Sequence, residues 1–214
     1  INGVKMMQYK AGVNTLIGEN AGSTGPGGYN TAIGTNVLSV NTTGNSNVGI
    51  GENSLIYNTT GNNNTAIGYA ALISNNTGSN NVANGFEALY SNISGNVNTA
   101  TGKNALYYNT TGSYNTAVGV YALENNNASE NTAVGVYALQ ENTTGSQNSA
   151  VGAYALSQNT EGSHNTATGM YALAYNTTGY QNAAFGYKAM YSNETGRDNA
   201  AFGYQALLNN SAAN

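Results

Sequence analysis

The stretch NTAIGYAAL at Asn64 to Leu72 is followed at intervals of 17 residues by NVANGFEAL, NTATGKNAL and NTAVGVYAL. The glycine of this unit recurs at Gly18, Gly34, Gly51, Gly68, Gly85, Gly102, Gly119, Gly135, Gly152, Gly169, Gly186 and Gly203, spaced 17 residues apart nine times and 16 twice. A period held this strictly is the signature of stacked units, each too small to bury an apolar face by itself. Four residues before the glycine stands Asn in all twelve copies, and four residues after it stands Leu in ten, with Met190 and Gly22 as exceptions. Ala precedes that Leu position in ten copies, and a second Gly follows the first by ten residues in ten copies. The unit reads N-T-A-[IV]-G-x-x-A-L-x-x-N-T-T-G-x-x.

Two helices and their turns do not fit in seventeen residues that carry two glycines and an N-T-T-G block. Short extended segments bounded by Gly and Asn do. The pattern therefore predicts an all-β chain: a parallel β-solenoid, or β-roll, of about twelve 17-residue coils, rising ~4.8 Å per coil to a rod of roughly 55 to 60 Å. Residues 1–12 read as a lead-in and 13–214 as one repeat array. The opening on Ile1 and the close inside a repeat suggest a fragment of a longer chain. Both 16-residue units are expected to lose their residue at one corner, between the second Gly position and the next Asn, at GGYN (Gly27 to Asn30) and ASEN (Ala128 to Asn131).

Stacking turns each repeated position into a column. Asn64, Asn81, Asn98, Asn115, Asn131 and Asn148 are expected to form a ladder of carboxamides, each donating to the next. Leu72, Leu89, Leu106, Leu123 and Leu139 are expected to fill the interior. The Thr pair of N-T-T reads as turn chemistry, its hydroxyls bonding local backbone, although N-T-T at Asn41, Asn58, Asn109, Asn142 and Asn176 also matches a glycosylation sequon. Strand alternation puts Ile/Val on one face and Ala/Gly on the other. The expectation is that Ile/Val points inward and that the Ala/Gly face lies flat against another chain. One Leu and one Ile/Val per coil make a thin core, which association would remedy.

The units resemble the head repeats of trimeric autotransporter adhesins, whose motif centres on SVAIG. The matching residues are NTAIG at Asn30 to Gly34 and Asn64 to Gly68, NVGIG at Asn47 to Gly51, and NTAVG at Asn115 to Gly119. They are also similar to the NTAxGxxALxxNTTG arrays of phage tail-fibre proteins and related bacterial surface proteins, and the similarity runs from Val13 to Asn210. That resemblance implies a left-handed β-roll with three chains around one axis. It further implies an extracellular location, on a virion tail fibre or a cell surface, with the chain itself as homotrimeric partner and a cell-surface glycan or receptor as target. The unit departs from the adhesin pattern in its 17-residue length and in its Thr in place of Val.

Composition narrows the chemistry. The chain has 39 Asn, 28 Gly and 17 Tyr, no Cys and no Trp, and only 7% of its 214 residues are charged, against about 25% in an ordinary domain. Five basic residues, Lys5, Lys10, Lys103, Lys188 and Arg197, are scattered in a chain of net charge -4, so no basic face for nucleic acid is expected. No apolar run approaches the ~18 to 20 residues of a membrane span, and no membrane insertion is expected. His164 and Asp198 are the sole residues of their kinds and no Asp column recurs, so the expectation is of no enzyme, no cofactor and no metal. Glu124, Glu130 and Glu141 are the one local group of carboxylates, and paired carboxylates are what a polysaccharide depolymerase would need. Tyr121, Tyr137, Tyr154 and Tyr171 share one position on four consecutive units. They are expected either to stack as a structural ladder or to present a carbohydrate-facing wall. An ice-binding solenoid is a further alternative, on the broken Thr rank of Thr15, Thr31, Thr65, Thr99, Thr116, Thr132 and Thr166.

Overall fold

The computed structural model describes residues 12–22 and 25–210, in two compact units divided between Thr111 and Gly112. Of the lead-in expected over residues 1–12, all but Gly12 lies outside the described residues. Each unit is a parallel β-solenoid, and no helix occurs among the described residues. The first unit holds β1 (Thr15–Ile17), β2 (Thr31–Ile33), β3 (Val48–Ile50), β4 (Thr65–Ile67), β5 (Val82–Asn84) and β6 (Thr99–Thr101). The second holds β7 (Thr116–Val118), β8 (Thr132–Val134), β9 (Ser149–Val151), β10 (Thr166–Thr168), β11 (Ala183–Phe185) and β12 (Ala200–Phe202). Within each unit every strand pairs in parallel and in register with the next, as Thr65 with Val82 and Ala133 with Ala150.

Backbone bonds join coils on more than the strand side. In the first unit the Thr31 N–H donates to the Asn47 carbonyl (2.8 Å), Leu55 to Ala71 (3.1 Å) and Thr59 to Asn76 (3.0 Å). In the second, Thr132 donates to Asn148 (2.8 Å), Leu139 to Ala155 (3.0 Å) and Thr143 to Thr160 (3.0 Å). The buried backbone is thereby satisfied along the stack.

The corners use left-handed backbone. The repeat glycine takes φ between 115° and 150°. A Cβ on Gly68 would stand 2.5 Å from the Gly85 carbonyl oxygen, so the residue needs both the conformation and the missing side chain. The Leu column is also left-handed, at φ 49° to 54°, and its carbonyl accepts a turn bond, as from the Asn75 N–H to Leu72 (3.1 Å). That conformation costs an L-residue about 1–2 kcal/mol. Burying the whole Leu side chain gains about 1.5–3 kcal/mol, and Leu72 is 0% exposed, so burial outweighs strain.

Strand polarity is opposite to the expectation. The middle Ala of each strand points inward, with Ala66, Ala83, Ala117 and Ala133 all fully buried, while Thr and Ile/Val flank it on the outside. The Leu from the following turn occupies the interior, and only a methyl-sized residue fits opposite it. The core is Leu, two Ala and two Asn per coil, without Ile/Val. Two coils that break the consensus confirm this volume rule. Where Gly22 replaces Leu, Leu16 stands in the strand position, and a Cβ on Gly22 would lie 2.5 Å from the Leu16 Cδ2. Where Val37 replaces Ala, the facing strand residue on the next coil is Gly49, whose Cβ would lie 2.4 Å from Val37 Cγ1.

The short repeats also lose their residue elsewhere than expected. In a full coil the Asn41 amide donates to the Gly44 carbonyl, three residues on; in the short coil Asn126 reaches Ala128, two residues on. The deletion falls ahead of the second Gly position, in the exposed Thr pair, where the backbone carries no inward side chain.

Candidate ligand-binding surface

The two Asn columns are structural. The Asn64 carboxamide accepts from the Asn81 backbone N–H (3.0 Å) and donates to the Gly78 carbonyl (2.8 Å). Asn81 bonds the Asn98 N–H (2.9 Å) and the Gly95 carbonyl (2.8 Å) in the same way. In the second unit Asn115 accepts from the Asn131 N–H and Asn131 from the Asn148 N–H, each at 3.0 Å. This column therefore clamps backbone more than it links amide to amide. The amide-to-amide ladder belongs to the Asn of N-T-T. The Asn75 Nδ2 donates to the Asn58 Oδ1 (2.7 Å) and Asn92 to Asn75 (2.8 Å); in the second unit Asn159 donates to Asn142 and Asn176 to Asn159, both at 2.7 Å. All of these side chains are 2% exposed or less. Leu72, Leu89, Leu106, Leu123 and Leu139 are fully buried beside them. Thr hydroxyls of N-T-T bond the neighbouring coil and not local backbone, as Thr42 to the Thr59 carbonyl (2.7 Å) and Thr143 to Thr160 (2.9 Å).

What remains for ligands is the outer surface. Thr and Ile/Val columns lie there side by side on the strands. In the second unit Val118, Val134 and Val151 are each exposed, and Val120, Val136 and Met170 are exposed on the adjoining column. No helix among the described residues is long and apolar enough to cross a membrane.

The four repeated tyrosines stack face to face. Ring centroids are 5.1 Å apart for Tyr121 and Tyr137, and 5.0 Å for Tyr137 with Tyr154 and for Tyr154 with Tyr171. The inner rings of the ladder thus cover one another's faces and offer edges outward. On the next coil the same position is Lys188, whose ammonium lies 5.8 Å from the Tyr171 ring, 5.5 Å from Tyr187 and 5.0 Å from Tyr191. Tyr191 in turn makes edge contacts with Tyr171 (6.1 Å) and Tyr175 (5.0 Å). Hydrogen bonding with Tyr175, and then burial, pushes the Tyr191 phenol above its ordinary value. Between these side chains opens a groove of about 560 Å³, with Ser157 and Ala174 as its buried lining. Tyr175, Tyr191 and Lys188 fall outside the four-tyrosine set picked out in the sequence. Tyr191 falls on a coil position that the other units do not keep aromatic in this part of the chain.

Each of the three carboxylates is taken up by a carboxamide. Glu124 accepts from the Gln140 Nε2 (2.7 Å), Glu141 from the Asn125 Nδ2 (2.8 Å) and Glu130 from the Gln147 Nε2 (2.7 Å). His164 is exposed at a left-handed corner that Gln147 and Gln181 occupy on adjacent coils. Among the described residues no group of three His, Cys, Asp or Glu is placed to hold a metal ion. No family model, curated protein or solved structure matches the chain.

Proposed function

We propose that the chain is a building segment of an elongated extracellular fibre, on a virion tail or a cell surface, that assembles as a homotrimer and presents or contributes to receptor binding. The observation that carries this reading is the use made of the repeated residues. The Asn, Gly, Ala and Leu of each coil are taken up by coil-to-coil stacking, so repetition yields stiffness and length in place of a reaction centre. The route to a trimer differs from the one the sequence suggested, because the Ala face is inside. The outward apolar stripe takes its place: Val134 and Val151 are 37% and 41% exposed, and Phe202, stacked on Phe185 at 4.9 Å, is 69% exposed. Thr168 separates Val151 from Phe185 in this column, but Val118, Val134 and Val151 run unbroken over three coils, and a run of that kind marks an interaction surface in a way that isolated exposed residues do not. The similarity to adhesin heads and phage-fibre arrays points the same way by analogy.

Sedimentation of the purified chain tests it. The expected particle is three times the 22.0 kDa chain mass, and Val134→Glu with Val151→Glu should release folded monomers. A wild-type chain that is monomeric, soluble and cooperatively melting overturns the trimer.

A second reading, an ice-binding solenoid, is favoured by the outward direction of the Thr column, including both Thr99 and Thr101 of β6. Its rank is interrupted by Val48, Val82, Ser149, Ala183 and Ala200. Thermal hysteresis decides it: an ice-growth gap near zero at millimolar chain sinks the reading. A depolymerase draws no support from Glu124, Glu130 and Glu141, each held by a carboxamide, and a reducing-end assay on capsule or lipopolysaccharide checks it.

A further inference from the structure

We propose that the groove at Tyr171, Tyr175, Tyr191 and Lys188 binds a carboxylate-bearing saccharide of the hexuronic-acid class, with the sugar ring on Tyr175 and its carboxylate on the Lys188 ammonium. The inference rests on the reading that the chain contributes to receptor binding, and it needs no trimer.

Lys188 is one of five basic residues in a chain of net charge -4. It interrupts a tyrosine column and is held by ring faces, with its ammonium 5.0 Å to 5.8 Å from three of them. No carboxylate lines the groove. A cation held by π-faces keeps N–H donors unmatched by any anion, and a carboxylate matches a single ammonium. A phosphate-rich ligand would call for several cations, which the groove lacks.

The remaining lining suits a sugar, which has C–H faces and a rim of hydroxyls. Tyr175 is 48% exposed, and its ring contact is an edge contact with Tyr191, so it has a face free for C–H packing. The Tyr191 phenol, hydrogen-bonded with Tyr175, keeps oxygen lone pairs that can accept from a sugar hydroxyl. Gln158 and Gln140 line the same groove. Gln140 uses its Nε2 on Glu124, which leaves its carboxamide oxygen as an acceptor for a sugar hydroxyl. A volume of about 560 Å³ lies within the range of small-molecule sites, ~300–1,000 Å³.

Titration calorimetry and saturation-transfer NMR on the full chain test the proposal with three probes: trigalacturonate, its methyl ester, and a triglutamate peptide. Trigalacturonate should bind at low ionic strength and take up saturation at its ring C–H protons. The ester and the peptide should each bind at least about tenfold more weakly, the ester through loss of one charge-assisted contact. Lys188→Gln, which installs the residue that Gln205 supplies in the same slot one coil on, should weaken trigalacturonate by a similar factor. Tyr175→Ala, at an exposed corner, should abolish ring saturation and provides an arm independent of the lysine. No binding of trigalacturonate, equal affinity for ester or peptide, or unchanged binding by both variants overturns the site. Sedimentation of the same samples separates the two readings. Binding lost in an intact trimer overturns the groove alone, and binding kept by a monomer overturns the trimer alone.

Discussion

A methyl group added at Gly68 has nowhere to go. Its carbon would sit 2.5 Å from the Gly85 carbonyl oxygen, on a backbone at φ 132° that L-residues rarely adopt. Gly68→Ala is expected to destabilise by at least about 2 kcal/mol in urea unfolding, more than an Ala substitution at the exposed Thr60. The buried carboxamides are equally specific. Asn75 donates to Asn58 (2.7 Å) and to the Gly78 carbonyl (2.9 Å), and accepts from Asn92 (2.8 Å). Asn75→Leu strands the Asn58 oxygen and takes one of two acceptors from the Asn92 amide, while the Gly78 carbonyl keeps its bond from Asn64; the loss should be about 1–3 kcal/mol. Asn75→Asp has a sharper signature. At neutral pH it replaces a donor with a buried charge; at acid pH the protonated carboxyl regains one donor. The stability of this variant relative to wild type should rise as pH falls through the carboxyl titration, and a deficit that does not change with pH would count against the ladder.

At the scale of the coil, volume is conserved across positions more strictly than identity. The Val37 and Gly49 pair makes this measurable. Gly49→Ala alone puts a Cβ 2.4 Å from Val37 Cγ1 and should destabilise by about 1–3 kcal/mol through overpacking. Val37→Ala alone opens a cavity and should cost about 1 kcal/mol or more. The double variant restores the consensus of neighbouring coils, Ala in both places, and should recover most of the loss. The expected outcome is a strong non-additive cycle in chemical denaturation. Simple additivity would mean that the two side chains do not share one space. The same packing explains strand polarity. Thr-Ala-Val offers two faces that are both compatible with burial, and the choice goes to the smaller because Leu has already filled the interior.

Each unit as a whole is a one-dimensional stack, in which a coil is supported by the coils on either side. In the second unit the Thr166 N–H is bonded to the Asn182 carbonyl and the Ala183 N–H to Asn199, both at 2.8 Å. Strand β12 has a strand neighbour on one side only among the described residues. Hydrogen exchange on this chain should therefore be slowest at Thr166 and faster by roughly a hundredfold or more at Ala200. Uniform protection along the unit would indicate all-or-none opening instead of fraying from an end. Stiffness of this origin needs no charge and little apolar area per coil, which is consistent with a chain in which 7% of residues are charged.

The strict period by itself determined the parallel β-solenoid, the burial of Leu72, Leu89, Leu106, Leu123 and Leu139, the alignment of the Asn before the glycine into a column, and the stacking of Tyr121, Tyr137, Tyr154 and Tyr171. Stacking in register converts any conserved spacing into a column, whatever the residues are. What each column does was decided by the tertiary structure. Ala66 turned inward and Ile67 outward because the space opposite Leu72 admits only a methyl group, and that is a property of the closed coil. The amide ladder settled on Asn58, Asn75 and Asn92 because their corner brings successive carboxamides within 2.7 Å to 3.0 Å, whereas Asn64 meets a backbone N–H first. The groove lies furthest from the sequence signal. Tyr171 and Lys188 share one position of the repeat while Tyr175 and Tyr191 hold two others, and only the chain's turn from one coil to the next brings a lone ammonium and three phenols around one space.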